Sequence, residues 1–228
     1  MPSRNTGQDV QDVQAFPPGS HPRPAARVDC TFMYAAHDGF RRDLRRLAAA
    51  VEEDRITEPA VRAGWATFKH QLHFHHTAED RWLWPALRDK VTQPDEISVL
   101  DAMEAEHLRI DPLLARVDVG TDAGDPAALA KDVRVLADTL TAHMQHEEDQ
   151  ALPLVEAHLG PDGWAEFGKT AGRSEGLRGA AELFPWMLDG PTAEISRRLL
   201  GILPPPVRLV YRLVWRPRYA RIPRWDTA

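Results

Sequence analysis

The sequence predicts an all-α fold: an antiparallel four-helix bundle with short additional C-terminal helices. Three observations predict it. Four long segments place apolar residues at helical spacing, the connections between them are short, and no segment alternates apolar and polar residues between turn signals as a strand would.

The first pattern runs over about 31–53 and the second over about 58–90, where Glu58-Pro59 makes a good first turn. The third runs over about 94–117. The loop "DVGTDAGDP" then ends in Asp125-Pro126, a cap and first turn for a fourth helix that reaches about His158. Ahead of these, residues 1–28 are Pro-rich, polar and aperiodic, and read as a disordered leader. The bundle itself is expected over 29–160, and a helical extension over 161–228. In that extension "SEGLRGAAELFPWMLDG" and "PTAEISRRLLGILPPP" look like short helices cut by Gly and Pro.

Composition narrows the function classes. With 228 residues, 43% apolar and 27% charged, the chain can bury a sizeable core. Its one cysteine, Cys30, forms no intrachain disulfide and reads as a packing residue or free thiol. The N-terminus has no apolar run of a signal peptide, and no stretch suits a membrane span, so a cytoplasmic location is expected. The net charge of −6 is unevenly spread: residues 191–228 carry eight arginines against Glu194 and Asp226. An acidic body of this kind argues against nucleic acid as a partner.

The stretch "HFHHTAEDRWLWP", His73 to Pro85, holds three histidines and two acids among aromatic residues. At about 100° per residue, His75 shares a helix face with Phe68, Leu72, Glu79, Trp82 and Ala86. His73 and Asp80 fall on the opposite, solvated side, and His76 lies at its edge. The fourth helix repeats the arrangement in "HMQHEEDQALP", where His143 and Glu147 share a face with Leu136, Leu140 and Leu154. Both stretches read His-x-x-x-Glu-[Asp/Glu]-x-x-x-x-Pro. The first helix adds His37 to an apolar face with Met33 and Leu44, and the third adds His107 with Leu100, Met103 and Leu114. The chain therefore reads as two related helical hairpins, each with one lone inward histidine and one inward His-Glu pair.

A single histidine on an apolar face is ordinarily a core residue bonded to a carbonyl. Four of them with two inward carboxylates, in matched order, are different. Two buried, unpaired carboxylates would cost several kcal/mol each, and a pair of metal ions removes that cost. Nitrogen and carboxylate oxygen together suit iron, manganese or zinc. Phe40, Phe68 and Trp82 read as core around such a site.

The motifs "AAHDGFRRDL", "HHTAEDRWLWPAL", "AEHLRIDPLL" and "HMQHEEDQALPL" resemble the hemerythrin-like, or HHE cation-binding, family over roughly His37 to Leu159. The resemblance implies two iron ions bridged by an oxo or hydroxo group inside the bundle. His37, His75, His107 and His143 would be terminal ligands, and Glu79 and Glu147 would bridge. Manganese or zinc would be less usual occupants. Oxygen-carrying members place a fifth histidine four residues after the one on the third helix; Asp111 stands there in this chain. Either Asp111 binds a metal or water fills the position, and Pro112 leaves its direction open. Fewer nitrogen donors would favour peroxide or nitric oxide chemistry over O₂ carriage. Tyr34, one turn before His37, is either a pocket phenol or a core tyrosine.

The expected function is thus a non-haem di-iron protein that binds or reacts with O₂, hydrogen peroxide or nitric oxide, with catalase-like turnover among the outcomes. The alternatives are a metal- or redox-sensing module and an iron storage or repair protein. No catalytic residue is singled out. The tail "VRLVYRLVWRPRYARIPRW" is apolar and basic at helical spacing. It is expected to pack on its own bundle or on a second subunit, with an anionic membrane surface as the third destination.

Overall fold

The computed structural model describes residues 28–123 and 125–225, so residues 1–27 of the expected leader lie outside the described residues. Among the described residues every regular element is helical. No helix is long and apolar enough to cross a membrane.

Helix α1 spans Thr31–Glu52. Helix α2 (Pro59–Ala78) starts on the expected proline and continues through a π turn, Glu79–Leu83, into α3 (Trp84–Arg88). Helix α4 covers Pro94–Ala123. Helix α5 (Pro126–His146) is capped as expected, the Asp125 carboxylate accepting from the Ala127 and Ala128 amides at 3.1 Å. It continues through a second π turn (Glu147–Ala151), the short α6 (Leu152–Leu154) and a third π turn (Val155–Leu159).

One expectation on element length is corrected. The third long helix does not end near Val117 but runs on to Ala123. Val117 is fully buried, and the next residue, Asp118, accepts bonds from Trp65 Nε1 at 2.7 Å and from Lys69 Nζ at 2.6 Å. These contacts hold the added turn against α2 and outweigh its poor helix formers. Beyond the third π turn the extension is a set of short helices cut by Gly and Pro, as expected: α7, Gly160–Met187, is broken into two at Gly176, whose φ of 61° and ψ of −163° are open to glycine but not helical. Helix α8 (Ala193–Ile202), α9 (Pro205–Val210), a fourth π turn (Tyr211–Trp215) and α10 (Arg216–Ala220) are the remaining helical elements among the described residues.

The core lies in two apolar layers. One contains Phe40, Leu44, Leu47, Val61, Phe68, Leu72, Ile110, Val117, Leu136 and Leu140. The other contains Met33, Leu83, Trp84, Leu87, Leu100, Met103, Ala151, Leu152 and Val155. Helices α1 and α4 meet the second layer first and the first layer later; the α2–α3 and α5–α6 stretches meet them in the reverse order. Between the two layers, on each of the four long stretches, lie the inward histidines.

Side chains of the C-terminal extension enter this core. Trp186, at the end of α7, is buried against Phe40, and its Nε1 donates to the buried Asp43 carboxylate at 2.8 Å. Gly39 makes room for it, since a Cβ there would lie 2.8 Å from the Trp186 ring. Trp225 reaches the first layer from the far end of the chain and sits over Gly64.

Candidate metal centre

Two groups of side chains converge between the apolar layers. His37, His75, Glu79 and Glu147 form one; His76, His107 and His143 form the other. Within each group the candidate ligand atoms lie within 4.8 Å of one another. His75 is half-buried and the other six residues are buried. The groups also touch: Glu79 brings one oxygen within 3.2 Å of His75 Nε2 and the other within 3.5 Å of His107 Nε2.

All six residues expected as ligands, His37, His75, Glu79, His107, His143 and Glu147, are thus brought together. His76 joins them, although its helix angle put it at the edge of the solvated face. Its ring stacks on His107 with centroids 3.9 Å apart. The "HH" doublet was the visible signal. Adjacent residues on a helix point about 100° apart, and here each of the two rings faces a different group.

Asp111 does not join. It is exposed and belongs to neither group, so of the two alternatives at this position the structure does not bring Asp111 to the clustered ligand atoms. Tyr34 is half-buried and packs on the second apolar layer with Met33 and Trp84, which fits the core-tyrosine alternative.

Three imidazoles are held from behind by carboxylates. His37 Nδ1 donates to Glu148 at 2.7 Å, His107 Nδ1 to Asp80 at 2.8 Å, and His143 Nδ1 to Glu106 at 2.9 Å. Each bond fixes the ring and turns the Nε2 lone pair toward the centre, as the partners of metal-bound histidines do. Two of the bonds cross between hairpins. The acid after Glu79 holds the lone histidine of the second hairpin, and the acid after Glu147 holds that of the first. Asp80 was expected to be simply solvated; it is exposed, yet it carries this bond. Arg41 donates to Glu148 at 2.8 Å, and Glu106 also accepts from His146 at 3.0 Å.

The electrostatics follow from burial and proximity. Burial and the neighbouring imidazoles hold His75 and His76 well below the usual histidine range. Burial likewise lowers His143, against the bond to Glu106. His37 is also opposed by burial, but Glu147 and Glu148 outweigh it and lift it to about 9. Burial and the nearby Glu147 push the Glu79 carboxyl well up. Burial works against ionised Glu148, yet His37 and Arg41 pull it down to about 2.

The polar atoms that find no hydrogen-bond partner point to a cation. Among the described residues eight buried side-chain atoms lack one, and five belong to this centre: both oxygens of Glu79, both of Glu147, and His76 Nε2. Buried polar atoms left unpaired are costly and uncommon. Here they are acceptors that converge with further Nε2 atoms, such as those of His37 and His75 at 3.2 Å. Hydrogen bonds satisfy such a cluster only if it takes up protons, as the 3.1 Å approach of His37 Nε2 to Glu147 would require, whereas metal ions satisfy it without them. The donor set therefore fits a metal.

The comparisons agree with this geometry. The hemerythrin HHE cation-binding domain matches the chain over residues 29–155, the stretch from just before α1 to the start of the third π turn. No curated protein and no solved structure matches the chain. The matched stretch spans more than half of the sequence and contains every member of both histidine groups, so the chain belongs to the hemerythrin HHE cation-binding family.

Proposed function

We propose that this chain is a non-haem di-iron protein that binds or reacts with O₂, hydrogen peroxide or nitric oxide. One iron would be held by His37 and His75, the other by His76, His107 and His143, with Glu79 and Glu147 between them. The observation that carries this reading is the set of five buried acceptor atoms at one place that make no hydrogen bond and meet mainly other Nε2 atoms. The alternation of the two core layers along the four long stretches supports an antiparallel four-helix bundle as the frame, with residues 161–228 as an extension of it.

Iron held by such donors supplies a redox-active Lewis acid for a small oxidant or nitric oxide. The side chains divide the remaining work. Glu148, Asp80 and Glu106 keep three rings aimed. Phe40 packs on His75 with centroids 5.2 Å apart, and Phe68 and Trp186 back Phe40, so water is kept from that wall. The His37–His75 group has one imidazole fewer than the other, and it contains the one half-buried member of the seven. We place the small-molecule position on that side.

The expectation against O₂ carriage rested on a missing nitrogen donor at Asp111. His76 supplies a fifth imidazole from another helix, so the donor count no longer separates carriage from turnover. The deciding experiment is to purify the protein, count its metals, and follow the optical spectrum on adding O₂, peroxide and nitric oxide. Two iron ions per chain and a spectrum that responds to at least one of the three are expected. A single metal, or zinc with no spectral response, would overturn the reading.

A further inference from the structure

The helical stretch 205–220 has two faces. The inner one is accounted for: Tyr211 and Trp215 are buried with Phe184 and Leu203, and Arg208 donates to the carbonyls of Leu203 and Gly201 at 2.7 and 3.0 Å. The outer face carries four large aliphatic side chains in the open, Leu209, Val210, Leu213 and Val214, with Leu213 67% exposed. Around them stand Arg212, Arg216, Arg218 and Arg221, all exposed. Among the described residues none of these four arginines makes an ion pair. From Pro204 to Trp225 there are six arginines and no Asp, Glu or Lys.

Exposed aliphatic residues placed side by side mark a contact surface, whereas scattered ones do not. The chemistry of this surface narrows the partner. A two-fold dimer through this face would set the same arginines against their own copies, a like-charge contact that opposes it. A nucleic acid would use the arginines but leave the aliphatic residues in water. A bilayer with anionic headgroups uses both, because aliphatic side chains enter the acyl boundary while guanidinium groups stay at the headgroup level.

We propose that the outer face of the 205–220 stretch docks this protein on an anionic membrane surface. The helix lies in the plane of the interface and does not cross it. This surface is separate from the metal centre, and the proposal holds whichever metal the centre takes.

Vesicle flotation of the full chain tests it, with phosphatidylcholine alone and with phosphatidylcholine containing phosphatidylglycerol. Binding to the anionic vesicles alone is expected, falling as salt is raised. Arg212→Gln and Arg216→Gln should each weaken it roughly fivefold. Leu213→Asp should abolish it while metal content and melting temperature stay at their starting values, since that side chain touches solvent. Failure to float with anionic vesicles at low salt would overturn the proposal, as would binding that Leu213→Asp leaves intact. A concentration-dependent dimer that Leu213→Asp makes monomeric would overturn it in favour of a second copy.

Discussion

The fifth imidazole of the proposed centre comes from His76, and its position determines what several substitutions should do. His76→Ala removes a nitrogen whose ring stacks on His107, so bound metal should fall toward half, as read by elemental analysis. His75→Ala and His143→Ala should lower it as well. His73 is exposed and Asp111 is exposed, so His73→Ala and Asp111→His should leave metal content unchanged. Equal losses from all of these would sink the division into two groups. The carboxylates behind the rings make a finer prediction. Asp80→Asn and Glu148→Gln keep shape but remove the charge that fixes His107 and His37. Metal affinity should drop about 10–100-fold in each, the usual cost of losing such a partner, as measured by competition with a chelator. The helical fold, followed by circular dichroism, should not change. The six expected ligands were legible because each sits on an apolar stripe in a repeated motif. The crossed pairs were not, since Glu148 is 111 residues from His37 and Asp80 is 27 from His107. Only folding brings them together.

Each π turn ends two residues before a proline: Pro85, Pro153, Pro161 and Pro217. A proline in a helix has no amide to donate, and its ring strikes the carbonyl four residues back. Before Pro85 and Pro153 the turn is widened, Trp84 donating to the Glu79 carbonyl and Leu152 to that of Glu147, whereas before Pro161 the helix breaks at Gly160 with φ 64°. A proline alone is not sufficient, since Pro112 and Pro185 lie inside α4 and α7 without a π turn. The consequence is a shift of register. Constant 100° spacing put Trp82 and Ala86 inward after Glu79 and Leu154 inward after Glu147. The extra residue in each turn moves the buried positions to Leu83, Leu87 and Val155, and leaves Trp82 half-exposed. The stripe was therefore readable up to each glutamate and wrong by one residue beyond it; the spacing from Glu to Pro was the available signal. Leu83→Ala should cost about 2–5 kcal/mol in chemical denaturation, the range for emptying a buried leucine site. Trp82→Ala should cost clearly less despite removing the larger side chain. The reverse order would restore the unshifted register.

At the scale of the whole molecule, the C-terminal stretch clasps α2 and the turn before it. Its own half-exposed composition showed that it would pack somewhere; where it packs depends on a small residue far away in sequence. Trp225 is buried over Gly64, where a Cβ would fall 2.4 Å from the indole. Its amide donates to the Ala60 carbonyl at 2.9 Å, and Arg55 returns a bond to the Trp225 carbonyl at 2.9 Å. Arg224 stacks 3.8 Å from the centre of the Tyr219 ring and donates to Thr67. These contacts tie the chain end to the first half of α2. Gly64 lies eleven residues before His75, about 16 Å along the helix axis, so the clasp and the metal centre share a helix without touching. Trp225→Ala should therefore destabilise by about 3–5 kcal/mol, and Gly64→Ala should approach it by expelling the same ring. Deleting everything after Leu203 should lower the melting temperature further, because Tyr211 and Trp215 leave the core with it. In the point variants the metal stoichiometry should stay that of the full chain, and chelation should lower the melting temperature of each by a similar amount, since bound metal stabilises only the folded centre. Loss of metal in Trp225→Ala would mean that the tail also positions His75 and Glu79. An unchanged melting temperature in that variant would mean that Trp225 does not hold its place in the core.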